Sequence, residues 1–414
     1  VAARKADPEI QLAAWGIVFP LALILASPVT MLLAASTTLS KDWASYQKLR
    51  TFTFVLAGAL TLLHILLAFT PLYYLLVEDF IAAPPGIIEP ARLGLMIMLP
   101  WTAAMAYRRF NYGVLIRFEH TRAVTLGSII RLTCDVLAML VLFFLFDLPG
   151  IAVATGTIVT GVVSEAIYAK IRVRPVLRDE LQPQPSVSDV LTVRSFSVFY
   201  IPLVLTSLLQ ILVQPIGSAA LSRLPDPLAS LAVWPVVYGA LIVMMSAGFA
   251  FTEVVIVMLD QPGAVRPLRR FVVWLAAGVA GILLIMNLTP LSGLWFGRLM
   301  ALPPDLVPLA EVGLWISLMV PAIAVLESWF NGVLLHGRRT RGITEGVLIG
   351  LIVIITVLTI GIAVGTFNGV YVVAAALVFG ATARLCWLWL RTRSMVRRFE
   401  VGGPQLAGKG SSIA

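Results

Sequence analysis

Six ionisable residues lie deep within long apolar runs of this sequence: Arg131, Asp135, Glu165, Glu253, Glu327 and Arg384. A charge at the centre of a hydrocarbon layer costs about 2.5–3.5 kcal/mol on insertion scales, so each needs a partner or a task. Arg131 and Asp135 are four apart and share one helix face. Such a pair either neutralises itself structurally or presents Arg131 as an anion ligand that Asp135 holds and releases. Glu165 and Arg384 have two readings: one partners Arg131 while the other faces substrate, or both reach towards water at span ends. Glu253, after Thr252, fits a gate or a cavity acid. Glu327, three residues before Phe330-Asn331-Gly332, fits a partner for Arg108 or Arg109, or a carboxylate for a coupling ion such as H+ or Na+.

Uncharged polar residues add candidates. Gln210 and Gln214 are four apart, and amides do not face lipid unpaired, so they contact either a ligand or another helix. Trp234 and Tyr238 share a face of the next run, as packing, interfacial anchors or a substrate platform. His64 titrates near neutral pH if free and is structural if hydrogen-bonded.

Signatures of other chemistries are missing. Cys134 and Cys386 are the two cysteines, with no disulfide framework and no metal-ligand spacing. Phosphate-binding glycine–lysine loops, zinc-protease helices and nucleophile elbows do not occur. The sequence therefore predicts no enzyme, cofactor or metal, and an ion or substrate gradient as the energy source.

These residues must be positioned by membrane helices. Of 414 residues, 59% are hydrophobic and 12% charged, against about 45–50% and 25% in soluble domains. Apolar runs recur at 10–36, 51–77, 91–117, 123–146, 150–171, 196–222, 228–258, 271–296, 310–335, 343–366 and 369–390, each long enough to span a bilayer. That predicts an all-α polytopic membrane protein with eleven visible spans. It leaves no polar stretch for a separate catalytic domain. The net charge of +9 points to anionic lipid rather than nucleic acid, because it is sorted by loop. Twenty basic residues fall in loops on the side of the 172–195 connection and five on the other side. The positive-inside rule puts that connection and the C-terminus in the cytoplasm, most simply at the plasma or inner membrane.

An internal repeat underlies the pattern. Leu12-Ala13-Ala14-Trp15 returns as Leu231-Ala232-Val233-Trp234, an offset in numbering of 231 − 12 = 219, and Asp7-Pro8 returns as Asp226-Pro227. At the same offset Thr70-Pro71-Leu72 matches Thr289-Pro290-Leu291, Pro84-Pro85 matches Pro303-Pro304, and Glu165 faces Arg384. The expected organisation is an N-lobe at 1–171, a cytoplasmic linker at 172–195, a six-helix C-lobe at 196–393 and a tail at 394–414. In that register the first lobe lacks a counterpart of span 196–222, so a parent of twelve helices in two parallel repeats is expected.

Two six-helix lobes with this linker resemble the MOP exporter superfamily, which includes MATE drug exporters, lipid II and polysaccharide flippases and the progressive ankylosis family. The sequence is most similar to the last. Residues carrying the similarity are Gly16 and Pro28, His64 with Ala68-Phe69 and Tyr73-Tyr74, Pro100 with Ala104-Met105-Ala106-Tyr107 and Gly113, Asp135-Val136, Thr252-Glu253, and Pro321 with Gly332 and Arg338-Arg339-Thr340. Ala103 stands where that family has an acid, and Glu327 where it has a base. The resemblance implies a monomeric secondary exporter of a small anionic metabolite, such as citrate, a nucleotide or pyrophosphate, working by alternating access among membrane lipids. Arg131, Gln210, Gln214 and Tyr238 would then bind substrate, while Asp135, Glu165, Glu253 and Glu327 would set coupling or gating. Two alternatives stand beside it: a flippase for a lipid-linked saccharide, and a cation-coupled drug exporter.

Overall fold

Hydrocarbon offers no hydrogen-bond partners, so runs rich in Leu, Ile, Val and Ala close their backbone bonds internally and fold as helices. A computed structural model describes residues 7–185, 192–259, 261, 263–337, 339 and 341–401, and among these every regular element is helical. Arg4, Lys5, Arg338, Thr340, the tail from 402 and the side chain of Glu253 lie outside the described residues.

The chain runs through α1 (Pro8–Thr30) and α2 (Leu32–Leu39), which form one broken span, then α3 (Trp43–Phe69) and the short α4 (Leu72–Tyr74). A second broken span follows as α5 (Pro85–Ile97) and α6 (Leu99–Arg117), then α7 (Thr121–Phe144) and α8 (Gly150–Val176). Next come α9 (Val193–Ile211), α10 (Val213–Leu221), α11 (Pro227–Met258), α12 (Val265–Leu288) and the short α13 (Leu291–Gly293). The chain ends with α14 (Val307–Ser317), α15 (Met319–His336), α16 (Arg341–Val364) and α17 (Gly369–Val401). Among the described residues, ten helical stretches are long and apolar enough to cross a membrane. The remaining expected span, 91–117, is built as part of α5 and α6. It is not among the ten because it carries Arg92, Arg108, Arg109 and Arg117. The protein is an integral, multi-pass membrane protein.

By packing, the chain forms two units. The first holds residues 1–222 with Pro227–Ala232, and the second holds 223–226 and everything from Val233. Within the first, α9 and α10 lie along α1 through polar contacts that the prolines of α1 create. Pro20 has no N–H to offer the carbonyl of Gly16, and Ser218 Oγ donates to that carbonyl at 2.8 Å. Beside the break after Thr30, the Tyr200 hydroxyl donates to the Pro28 carbonyl, and the hydroxyls of Thr30 and Ser207 meet at 3.0 Å.

The repeat reappears as backbone geometry. Non-glycine residues in left-handed conformation are uncommon, yet Asp7 (φ 51°) and Ala82 (φ 61°) recur at the repeat offset as Asp226 (φ 54°) and Ala301 (φ 54°). Each aspartate immediately precedes the proline that opens a helix. A π-helical turn at Leu75–Phe80 recurs in the same register at Leu294–Leu299. Close helix approaches repeat likewise. Gly94 abuts Ile151 as Gly313 abuts Val370, and Gly113 abuts Ser36 as Gly332 abuts Val255.

Candidate functional site: buried charge in each unit

In the first unit the charges converge where α6, α7 and α8 pack together. Arg108 of α6 is buried and forms an ion pair with Glu165 of α8, which is fully buried. The Tyr112 hydroxyl, one turn further along α6, donates to the other oxygen of Glu165 at 3.0 Å. Tyrosine and arginine together satisfy both carboxylate oxygens, as burial of an acid requires. On α7, Arg131 Nε stands 3.6 Å from Asp135 Oδ2, in the i, i+4 arrangement expected from the spacing. Arg131 Nε and Asp135 Oδ1 are buried without a hydrogen bond. Gly161 of α8 lies directly against the Asp135 carboxylate, where a Cβ has no room.

Arg109 completes the cluster. It follows Arg108 on α6, its Nε is buried without a hydrogen bond, and among the described residues it makes no ion pair. Three guanidinium groups thus accompany two carboxylates, leaving an excess of one positive charge in the packed cluster.

The second unit carries one pair at the matching place. Glu327 of α15 is buried, with Oε2 3.4 Å from Arg384 Nε of α17. The repeat offset carries Arg108 onto Glu327 and Glu165 onto Arg384, so one ion pair occurs twice with its polarity reversed. At the positions matching Arg131 and Asp135 the second unit has Gly350 and Ile354, and Ile354 abuts Gly380 as Asp135 abuts Gly161. Opposite Arg109 it has Ser328. The second unit's pair is therefore electrically neutral.

Several expectations are redirected. Glu165 meets Arg108 rather than Arg131, and is buried rather than reaching for water. Glu327 meets Arg384 rather than Arg108 or Arg109. Gln210 is exposed on α9 and Gln214 half-buried on α10, on either side of the break at Leu212. Tyr238 lies beside Trp234 with ring centroids 6.0 Å apart. His64 is fully buried, with Nε2 3.0 Å from the Leu95 carbonyl and Nδ1 3.3 Å from Thr102 Oγ1. Nε2 therefore carries the proton and Nδ1 accepts from the hydroxyl, which makes the ring a structural clasp where α5 gives way to α6. Sequence reasoning misses Tyr112, because a tyrosine in a span reads as packing until its acid partner is located.

No family model and no curated protein matches the sequence. Solved structures do match. A multidrug resistance MATE family transporter of the MOP superfamily, in an inward-facing conformation, superposes with a TM-score of 0.69 at 12% identity, over 95% of this chain and 92% of that one. The fold is that of the MATE transporters. A eukaryotic MATE transporter, AtDTX14, gives a TM-score of 0.67 at 13% identity over 95% and 90% of the two chains. The lipid II flippase MurJ, inward closed, gives 0.61 at 10% identity over 95% and 88%. The matches span nearly the whole chain, and each of these neighbours is a transporter or a flippase rather than an enzyme.

Proposed function

We propose that the protein is a MOP-type secondary transporter that moves a small anionic metabolite across the membrane by alternating access. The observation that carries this reading is the excess guanidinium of the first unit: Arg108, Arg109 and Arg131 against Glu165 and Asp135. Holding an unneutralised cation at membrane depth is expensive, and an anionic substrate offsets that cost whenever it binds. Arg109 and Arg131 are the anion ligands in this scheme. Asp135 competes with substrate for Arg131, so proton or Na+ binding at that acid favours substrate binding, and loss of the cation lets Asp135 reclaim Arg131 and release substrate. Gln210, Gln214 and Tyr238 add substrate contacts, and Glu253 and Glu327 act in gating. The protein works as a monomer, with a cytoplasmic linker at 172–195 and its C-terminus inside at the plasma or inner membrane. Citrate, nucleotides and pyrophosphate are the candidate substrates, in keeping with the resemblance to the progressive ankylosis family.

The test is transport in proteoliposomes, measuring uptake of labelled citrate, ATP and pyrophosphate beside translocation of a fluorescent polyprenyl-linked sugar. Saturable anion uptake that disappears in Arg131→Ala and Arg109→Gln supports the proposal. Translocation of the lipid-linked sugar without anion uptake overturns it. That outcome would favour the second reading, a flippase for lipid-linked saccharide, which rests on the likeness to the lipid II flippase.

A further inference from the structure

One basic, aromatic-walled groove of the second unit has no part in the transport scheme. It is a cavity of about 430 Å³ between α12, α15 and α17, inside the size range of ligand-binding pockets. Its walls are apolar, with Val272, Leu326, Phe330 and Trp389 among them, and Arg269 and Arg393 supply its charge. A second hollow of about 440 Å³ adjoins it, sharing Arg269 and Val273 and adding Arg266, Arg270 and Trp274. Among the described residues no carboxylate lines either hollow.

The arginines are not equivalent to their neighbours. Arg391 is neutralised by a two-pronged contact with Glu345, at 3.0 and 3.1 Å. Arg393, two residues on, instead lies with its guanidinium carbon 5.9 Å from the centre of the Trp389 ring, inside the groove. Arg266, Arg269 and Arg270 are exposed on the first turns of α12. Just below them Val273 (59% exposed) and Trp274 (67% exposed) turn apolar surface outwards on a helix apolar enough to span the bilayer. Positive charge at the end of a spanning helix, above a groove walled by apolar side chains, matches a molecule that is anionic at one end and hydrocarbon at the other.

The geometry points to a binding site for an anionic phospholipid, with its phosphate among Arg266, Arg269, Arg270 and Arg393 and an acyl chain in the groove beneath. Basic pockets between membrane helices hold anionic headgroups by charge and by arginine's hydrogen-bonding fork. The apolar walls reject a free phosphate ion, which has nothing to place there. A zwitterionic lipid fits the walls and lacks the net charge.

The full chain, reconstituted in nanodiscs of phosphatidylcholine with a minor share of phosphatidylglycerol, tests this by native mass spectrometry after gentle release. The expected result is preferential retention of phosphatidylglycerol, reduced at least about tenfold in Arg269→Gln/Arg393→Gln and kept in Arg269→Lys/Arg393→Lys. Leu326→Trp, which fills the groove and leaves the charges, is expected to lower retention as well. Far-ultraviolet dichroism on each variant separates loss of lipid from loss of fold. Equal retention of both lipids, or retention unchanged in the glutamine variant, overturns the site. Retention insensitive to Leu326→Trp but displaced by excess inorganic phosphate overturns the lipid assignment in favour of a bare anion site.

Discussion

Arg108 and Glu327 occupy matching places in the two repeats and carry opposite charges. Each is buried, and each is paired across to the last long helix of its repeat, with Glu165 on α8 and Arg384 on α17 respectively. The repeat therefore preserves the pairing and not the sign. What a transmembrane bundle requires at this depth is mutual neutralisation, and either polarity supplies it.

Removing one partner should be far worse than exchanging both. Arg108→Gln leaves Glu165 buried and uncompensated, and is expected to destabilise the protein by about 3–5 kcal/mol. The double exchange Arg108→Glu/Glu165→Arg reproduces the second repeat's polarity and should recover most of the loss. Thermal unfolding in detergent checks both, and a double exchange no better than the single change would contradict the account.

Arg109 acts, in the proposed scheme, through charge rather than packing. Arg109→Gln and Arg131→Ala are each expected to cut anion uptake at least about tenfold, the scale of one lost charge-assisted hydrogen bond. Arg109→Lys should keep more uptake than Arg109→Gln. The melting temperatures of the two Arg109 variants should stay near wild type, whereas Arg131→Ala leaves Asp135 without its partner and should lower the melt. Initial rates in proteoliposomes and melts on the same preparations provide the comparison.

Gly161 tests how closely α7 and α8 approach. A Cβ there meets the Asp135 carboxylate, so Gly161→Ala should cost about 1–3 kcal/mol through overpacking. Asp135→Ala in the same chain removes the obstacle and should return much of that loss. A Gly161→Ala protein as stable as wild type would mean that the two helices are not so closely packed.

Ser218 substitutes for a missing backbone donor. Ser218→Ala orphans the Gly16 carbonyl and should cost about 1–3 kcal/mol. In a Pro20→Ala background residue 20 has its own N–H for that carbonyl, so the same serine change should cost much less. The four proteins form a double-mutant cycle whose coupling energy, read from unfolding curves, should be clearly non-zero.

Much of the architecture is legible in the amino-acid sequence. Apolar runs locate the spans, since length and hydropathy alone decide whether a helix crosses. The repeat register, read from motifs such as Asp7-Pro8 and Asp226-Pro227, is also a register of backbone conformation. The charged site is harder to read. Arg131 and Asp135 declare themselves by i, i+4 spacing on one helix, but Arg108 and Glu165 lie 57 residues apart on different helices. One signal could have joined them: Arg108 and Glu165 both change sign at the repeat offset, which is what two members of one pair would do. His64 is ambiguous for a similar reason. Its role depends on the Leu95 carbonyl, 31 residues away in the chain, and no spacing rule announces that.

The reversed ion pair also constrains the history of the chain. A duplicated gene begins with two identical copies, so both positions of the pair have changed in one copy or the other since. Taken one residue at a time, a direct exchange of arginine for glutamate passes through two acids or two bases facing each other in a buried site, with no water to screen them. A route through a neutral residue such as glutamine replaces that repulsion with a single unpaired charge. Each single step on that route leaves one buried charge without its partner, so the two positions of a pair constrain each other's replacement.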